Sequence, residues 1–306
     1  MHHTCWALCV NCDLEQVTLS RTVGVVLMTM GNRPVEFKRA LNSLLAQKNV
    51  DLDIVVVGNS WDPVGLPVGV KAFYSPENLG IPGGRTAGTD KVVGDYLFYL
   101  DDDAFLPDPL TISAMLDILL ERPEIGIVQP RPTDPDTGET PSRCVPRLIA
   151  GDPAQSSIGT TLWEGAGMLL PRETLRRTGG WADEFFYAHE GMDLCWRIWD
   201  GGQMSWYAAD IITHHSAKSP TRHSVFWFQT ARNRVWVAKR NLPWPLIPIY
   251  LGTWLAITTI RARSLANYKT WWRGFVSGII TTPVGRRPMK WSTVWRLTRA
   301  GRPPII

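Results

Sequence analysis

Tyr96-Leu97-Phe98-Tyr99-Leu100-Asp101-Asp102-Asp103 is a short apolar and aromatic run that ends against three consecutive carboxylates. A run of that length and composition reads as a buried strand, and the acidic triplet reads as the point where it leaves the interior. Upstream, Val23 to Met30 (VGVVLMTM) is a second apolar run, closed by Gly31-Asn32-Arg33-Pro34. Phe37, Leu41, Leu44 and Leu45 then recur at helical spacing over Val35 to Gln47. Asp53 to Val57 and Val70 to Tyr74 read as further strands. Buried β-branched runs joined by helices predict an α/β fold, a Rossmann-like and mostly parallel sheet flanked by helices. Ligands bind such sheets outside the carboxyl ends of their strands, and the polar loops after Met30, Val57 and Leu100 would all open there.

Three adjacent carboxylates raise one another's pKa unless a positive charge compensates them, and a divalent cation is the natural partner. In extended chain Asp101 and Asp103 share one direction and Asp102 takes the other. Hard oxygen ligands suit Mg²⁺ or Mn²⁺, which keep positions open for phosphates. The plainer alternative is a solvated acidic turn. Gly80, Gly83, Gly84 and Gly88 match neither the dinucleotide nor the phosphate-loop spacing, and no Gly-Lys-Ser/Thr follows.

Charge divides the chain. Asp210 is the last acidic residue, and sixteen Lys or Arg follow it, so the tail carries +16 against −12 for the first 210 residues. Eight of the fifteen Trp lie in that tail, from Trp227 to Trp295. Basic residues interleaved with Trp suit an anionic membrane surface or a nucleic acid, and dispersal among apolar runs without a reader module argues against nucleic acid. An apolar content of 44% excludes global disorder. The five cysteines form no disulfide framework. Cys5, Cys9 and Cys12 have iron–sulfur spacing but precede every strand, so residues 1–21 read as an unstructured leader without signal-peptide character.

Taken in order, these motifs resemble the family 2 glycosyltransferases of the GT-A fold, particularly bacterial members that build cell-wall or lipid-linked glycans, such as rhamnosyl- or galactofuranosyltransferases. The resemblance covers about Val23 to Arg240. It is carried by Thr29 to Pro34, by Asn78-Leu79-Gly80-Ile81-Pro82-Gly83-Gly84, by Asp101-Asp102-Asp103, and by Gly165 to Leu170 with Gly179 to Phe186. It implies a catalytic domain over 22–216 and a basic helical region over 217–306. Thr29, Gly31, Arg33, Asn59, Asn78, Gly83, Gly84 and Asp102 are implied to bind the donor, a nucleotide diphosphate sugar with UDP or dTDP favoured. Asp101, Asp103 and His214 are implied to hold Mn²⁺ or Mg²⁺. The implied reaction is transfer to a hydroxyl with inversion of configuration.

Two departures stand out. Gly191, within Tyr187-Ala188-His189-Glu190-Gly191-Met192-Asp193, occupies the place of the family's base, leaving Glu190 first and Asp193 second as carboxylates for that role. Asp193 is also read as the i,i+4 partner of Arg197. Gly58 stands where the family has a base-binding Asp. Gln229-x-x-Arg232-Asn233 nearly matches a processive-synthase signature but has Asn233 in place of Trp. Leu246 to Ile260 is apolar, bracketed by Lys239-Arg240 and Arg261-x-Arg263, and reads as an interfacial helix. The expected partners are therefore a membrane surface, at the cytoplasmic face, and a polyprenyl-linked or cell-wall glycan acceptor. A catalytically impaired sugar-nucleotide binder or membrane adaptor, and a sugar-phosphate nucleotidyltransferase, are the alternatives.

Overall fold

The computed structural model describes residues 21–216 and 224–306. The cysteines of the expected leader, together with Lys218 and Arg222, lie outside the described residues.

Strand β1 (Thr22–Thr29) leads into helix α1 (Pro34–Leu45), which Pro34 opens at a position where a missing N–H is harmless. Then follow β2 (Asp51–Asn59), β3 (Lys71–Ser75), α2 (Gly80–Thr89) and β4 (Tyr96–Asp101). The expected strands are present with ends moved by one or two residues, and the glycine-rich segment is helix almost from its start. Next come β5 (Ala104–Phe105), α3 (Thr111–Glu121), β6 (Ile125–Thr133), β7 (Ser157–Gly159), β8 (Met168–Pro171), α4 (Arg172–Thr178), α5 (Glu190–Asp200) and β9 (Met204–His215).

The nine strands among the described residues form one sheet in the order β3-β2-β1-β4-β8-β6-β9-β5, with β7 on β9. The first four are mutually parallel, while β8 runs antiparallel to both β4 and β6. Alternation along the strands separates two cores. Val26, Val55, Val57, Leu97 and Tyr99 face α5 and the C-terminal helices, whereas Val25, Leu27, Val56, Phe98 and Leu100 face α1 and α3.

The basic region is α6 (Ser224–Asn241), α7 (Leu246–Arg261), α8 (Leu265–Ile280) and α9 (Trp291–Arg299). Ala231, Val235, Val237 and Ala238 of α6 are fully buried and belong to the core that also holds Leu194 and Ile198 of α5. Helix α7 coincides with the apolar stretch expected to be helical; it buries Ile247, Tyr250 and Leu251 and leaves Ile249 and Ile260 exposed. Among the described residues no helix is long and apolar enough to cross a membrane.

Contact between α2 and the sheet depends on glycine. A Cβ on Gly84 would collide with Met28 Sδ, and one on Gly88 would lie 2.9 Å from Val57 Cγ2 and closer still to Val26. Gly88→Val should therefore force α2 off β1 and destabilise the fold by about 1–3 kcal/mol, measured by urea unfolding at 25 °C.

Candidate active site

The carboxyl end of β4 delivers the acidic triplet beside the end of β1, with Asp101 opposite Met28. Each carboxylate meets a different partner. Asp101 Oδ1 accepts from Arg85 Nη2 of α2 at 3.2 Å. Asp102 Oδ2 accepts from Thr29 Oγ1 at 2.7 Å, and Thr29 Oγ1 in turn accepts from the Gly31 N–H at 3.0 Å. Arg33 reaches both Asp102 and Asp103. Burial raises the Asp102 carboxyl to about 6, with Thr29 and Arg33 working the other way. Burial also opposes the charge on Asp103, yet His215 and Arg33 hold its carboxyl below the usual range.

The histidine assignment needs correcting. Short strand β5 continues from the triplet and pairs with the end of β9, Ala104 opposite His215 and Phe105 opposite His214. Adjacent strand residues face opposite sides. His214 turns away from the carboxylates, its Nδ1 2.9 Å from Thr133 Oγ1 and its ring against Phe105. His215 is the imidazole at the triplet, with Nε2 3.4 Å from Asp103 Oδ1. Burial lowers the basicity of His215, but Asp103 and Asp101 outweigh it and raise its pKa.

Among the described residues no three His, Cys, Asp or Glu side chains are grouped as a complete metal cage. A carboxylate oxygen and an imidazole nitrogen converging at Asp103 and His215 still fit a hard divalent ion, because such an ion takes the rest of its shell from water and phosphate oxygens.

Across Arg85 from the triplet lie two more carboxylates. Arg85, 2% exposed, places Nη1 4.0 Å from Glu164 Oε1, and its indole neighbour Trp181 lies 4.9 Å from the guanidinium. Burial opposes the Arg85 charge, but Asp101, Glu164 and Glu190 together raise its pKa. Glu190, also 2% exposed, opens α5 with its carboxyl against that of Glu164. Burial and the neighbouring Glu164 drive the Glu190 pKa well above the ordinary carboxyl value.

Asp193, the second carboxylate proposed for base chemistry, is corrected by its surroundings. It is 0% exposed; Oδ1 accepts from Arg240 Nε at 3.0 Å and Asn241 Nδ2 at 2.6 Å, and Oδ2 pairs with Arg197 as the i,i+4 spacing implied. Both oxygens are occupied, and an acceptor has no route to them. Asp193 ties α5 to α6.

The segment ahead of Glu190 is strained. Phe186, Ala188 and His189 have φ of 63°, 70° and 72°, three of the five non-glycine residues with positive φ among the described residues. Asn233, in the place of the synthase Trp, holds this segment: its Nδ2 lies 2.8, 2.7 and 2.9 Å from the carbonyls of Phe185, Tyr187 and Ala188. The residue read as a departure from a motif is the clamp that fixes Glu190.

Of the implied donor-binding residues, Thr29, Gly31, Arg33 and Asp102 gather at the triplet. Asn59 Nδ2 donates to Asn78 Oδ1 and to the Gly80 carbonyl, and the Leu79 and Gly80 N–H groups donate to Asn59 Oδ1 and Asn78 Oδ1, joining the end of β2 to the start of α2. Gly83 and Gly84 lie within α2, where Gly84 serves packing on β1 rather than a phosphate loop. Arg85 and Glu164 were not singled out from the sequence.

A parallel-to-mixed sheet with an acidic cleft at its strand ends defines an α/β domain of the GT-A class. Residues 25–153 match the model of "Glycosyl transferase family 2". The pre-mycofactocin glycosyltransferase of Mycobacterium tuberculosis is 22% identical over 234 residues, 70% of this chain and 49% of that protein. This chain thus spans about half the length of the curated relatives it matches. The fold is shared with the mannosyltransferase PcManGT from Pyrobaculum calidifontis in complex with GDP-Man and Mn²⁺, at a TM-score of 0.57 and 17% identity, covering 94% of this chain and 78% of that one. It is also shared with GalNAc-T7 bound to UDP, GalNAc and Mn²⁺ (0.59, 14%, 84% and 54%) and with residues 1–349 of S. aureus TarS (0.58, 14%, 85% and 81%).

Two outcomes follow from the buried carboxylates. Asp193→Ala leaves Arg197 and Arg240 without their buried counter-charge and should cost about 3–5 kcal/mol in chemical unfolding. For Glu190, the folded protein binds a proton more tightly than the unfolded chain, so stability is greatest below about 4.5 and falls as pH rises toward the elevated folded pKa. Glu190→Gln should flatten that segment of a stability–pH curve.

Proposed function

We propose that the protein is an inverting, metal-dependent glycosyltransferase that moves a sugar from a nucleotide diphosphate sugar to a hydroxyl of a polyprenyl-linked or cell-wall glycan. One observation carries the reading: Arg85 joins a metal-type acidic site, Asp101 to Asp103 with His215, to a separate carboxylate pair, Glu164 and Glu190. Transfer needs both charge stabilisation at a leaving diphosphate and a proton acceptor at the attacking hydroxyl. The neighbours holding GDP-Man or UDP with Mn²⁺ support the donor class and the cation, with UDP- or dTDP-sugars favoured here.

Asp103 and His215 would hold the Mn²⁺ or Mg²⁺, which when bound supplies Lewis-acid stabilisation of the leaving phosphate oxygens. Arg33, half-exposed beside Asp102 and Asp103, is placed to meet donor phosphate, and Thr29 fixes Asp102 in the direction of β1. Glu164 and Glu190 handle the proton of the acceptor hydroxyl as it attacks the anomeric carbon from the face opposite the leaving group.

The acceptor reading rests on the C-terminal region. Leu265, Trp272, Val276 and Ile280 are exposed at helical spacing along α8, beside Lys269 and Arg273, in a tail without an acidic residue. Apolar side chains among cations complement an anionic leaflet, at about 1 kcal/mol per basic group near the surface. On this reading the enzyme works at the cytoplasmic face of a membrane, next to a lipid-linked acceptor.

Incubation with a panel of UDP-, dTDP- and GDP-sugars and a membrane lipid extract tests the activity. Expected are release of nucleoside diphosphate coupled to glycosylated product, loss with EDTA, recovery with Mn²⁺ or Mg²⁺, and loss of about 100-fold or more in Asp103→Ala. Donor binding without transfer would favour the impaired sugar-nucleotide binder, and pyrophosphate release a nucleotidyltransferase. In co-sedimentation, the protein should bind phosphatidylglycerol vesicles and not phosphatidylcholine vesicles, and Trp272→Ser with Lys269→Glu should weaken binding.

A further inference from the structure

The space beside Gly191 is filled by another residue. A Cβ built on Gly191 would lie 2.6 Å from Glu164 Cδ and nearer still to Oε2, so any larger residue at 191 would displace the Glu164 carboxylate. Glu164 comes from the loop before β8, 27 positions earlier in the chain. The missing side chain at 191 and the carboxylate of Glu164 are two halves of one arrangement.

The two members of the carboxylate pair are not equivalent. The Glu164 side chain is 15% exposed, whereas Glu190 is sealed beneath it, and Glu190 Oε2 is buried with no hydrogen-bond partner outside the pair among the described residues. Arg85 Nη1 lies 4.0 Å from Glu164 Oε1, and Asn233 holds the loop that leads into Glu190. A general base must reach the acceptor hydroxyl from the solvent side, and of the two carboxylates only Glu164 has an exposed edge.

We propose that Glu164 is the catalytic base of the transfer, seated in the space that Gly191 leaves open. The inference deepens the proposed function and rests on it. In the step, a lone pair of the acceptor oxygen forms the new bond to the anomeric carbon. The bond from that carbon to the diphosphate oxygen breaks, and its electron pair leaves with the nucleoside diphosphate. The acceptor's O–H proton passes to Glu164, and the O–H electron pair stays on the glycosidic oxygen. The product is released neutral at that oxygen, and the proton held at Glu164 returns to water through its exposed edge. Burial and the neighbouring Glu164 raise the pKa of Glu190.

The test is a set of variants assayed with whichever donor and lipid extract the wild type uses, with donor binding measured in parallel by calorimetry. Glu164→Gln should lower kcat by about 100-fold or more while donor Kd stays within about threefold, and its loss should exceed that of Glu190→Gln. Gly191→Asp alone should be inactive, because its side chain and Glu164 compete for one space. Glu164→Gly with Gly191→Asp should recover about tenfold or more over Glu164→Gly, since a carboxylate again occupies that place. Glu164→Gln with near-wild-type kcat, a larger loss in Glu190→Gln, or a double variant no faster than Glu164→Gly would each overturn the assignment while leaving the transferase reading intact. Absence of transfer by the wild type across the panel would instead remove the proposed function and this assignment with it.

Discussion

Arg85 is the cation on which the cleft depends. Three carboxylates, Asp101, Glu164 and Glu190, surround one guanidinium that is itself almost wholly buried. Removing such charges from water is costly, and here the compensation is shared rather than pairwise. One guanidinium offsets part of the cost of burying all three, and burial still raises the pKa of Asp101 and Glu190. The glycines of α2 matter for the same reason, because close packing of α2 on β1 sets where Arg85 can reach. Acidic triplet and carboxylate pair are thus two sides of one electrostatic arrangement.

The C-terminal helices complete that arrangement on the same face of the sheet. Asn233 of α6 holds three consecutive-region carbonyls in a segment whose backbone would otherwise relax from the left-handed region. Arg240 and Asn241 close on Asp193 one turn into α5. Glu190 therefore sits between a strained loop and an anchored helix, and neither of its supports belongs to the residues around the acidic triplet. The basic region has two faces: the inner one positions the start of α5, and the outer one presents the exposed apolar residues of α8.

How far the sequence was legible varies with the range of the interaction. Runs such as Val23 to Met30 and Tyr96 to Leu100 announce strands because burial on both faces of a sheet demands unbroken apolar chain. The triplet after Leu100 was legible as a site for the same reason, since charge directly after such a run has to be compensated. The pairing of Asp193 with Arg197 was also within reach, being one helical turn long. Choosing between His214 and His215 was not, because the choice depends on the register between β5 and β9, which are more than a hundred residues apart. Asn233 stands in the sequence as a departure from a motif, and its contacts lie 45 to 48 positions away.

Sequence alone determined the α/β class, the strand ends that bear the acidic cleft, and the division between an acidic domain and a basic tail, all of which follow from local apolar periodicity and charge. Tertiary structure alone decided which imidazole meets Asp103, that Asp193 is an anchor, and that Glu164 occupies the space at Gly191. The physical reason is that a gap in one segment and the side chain that fills it are a single packing event, and neither half carries a signal until the fold brings them together.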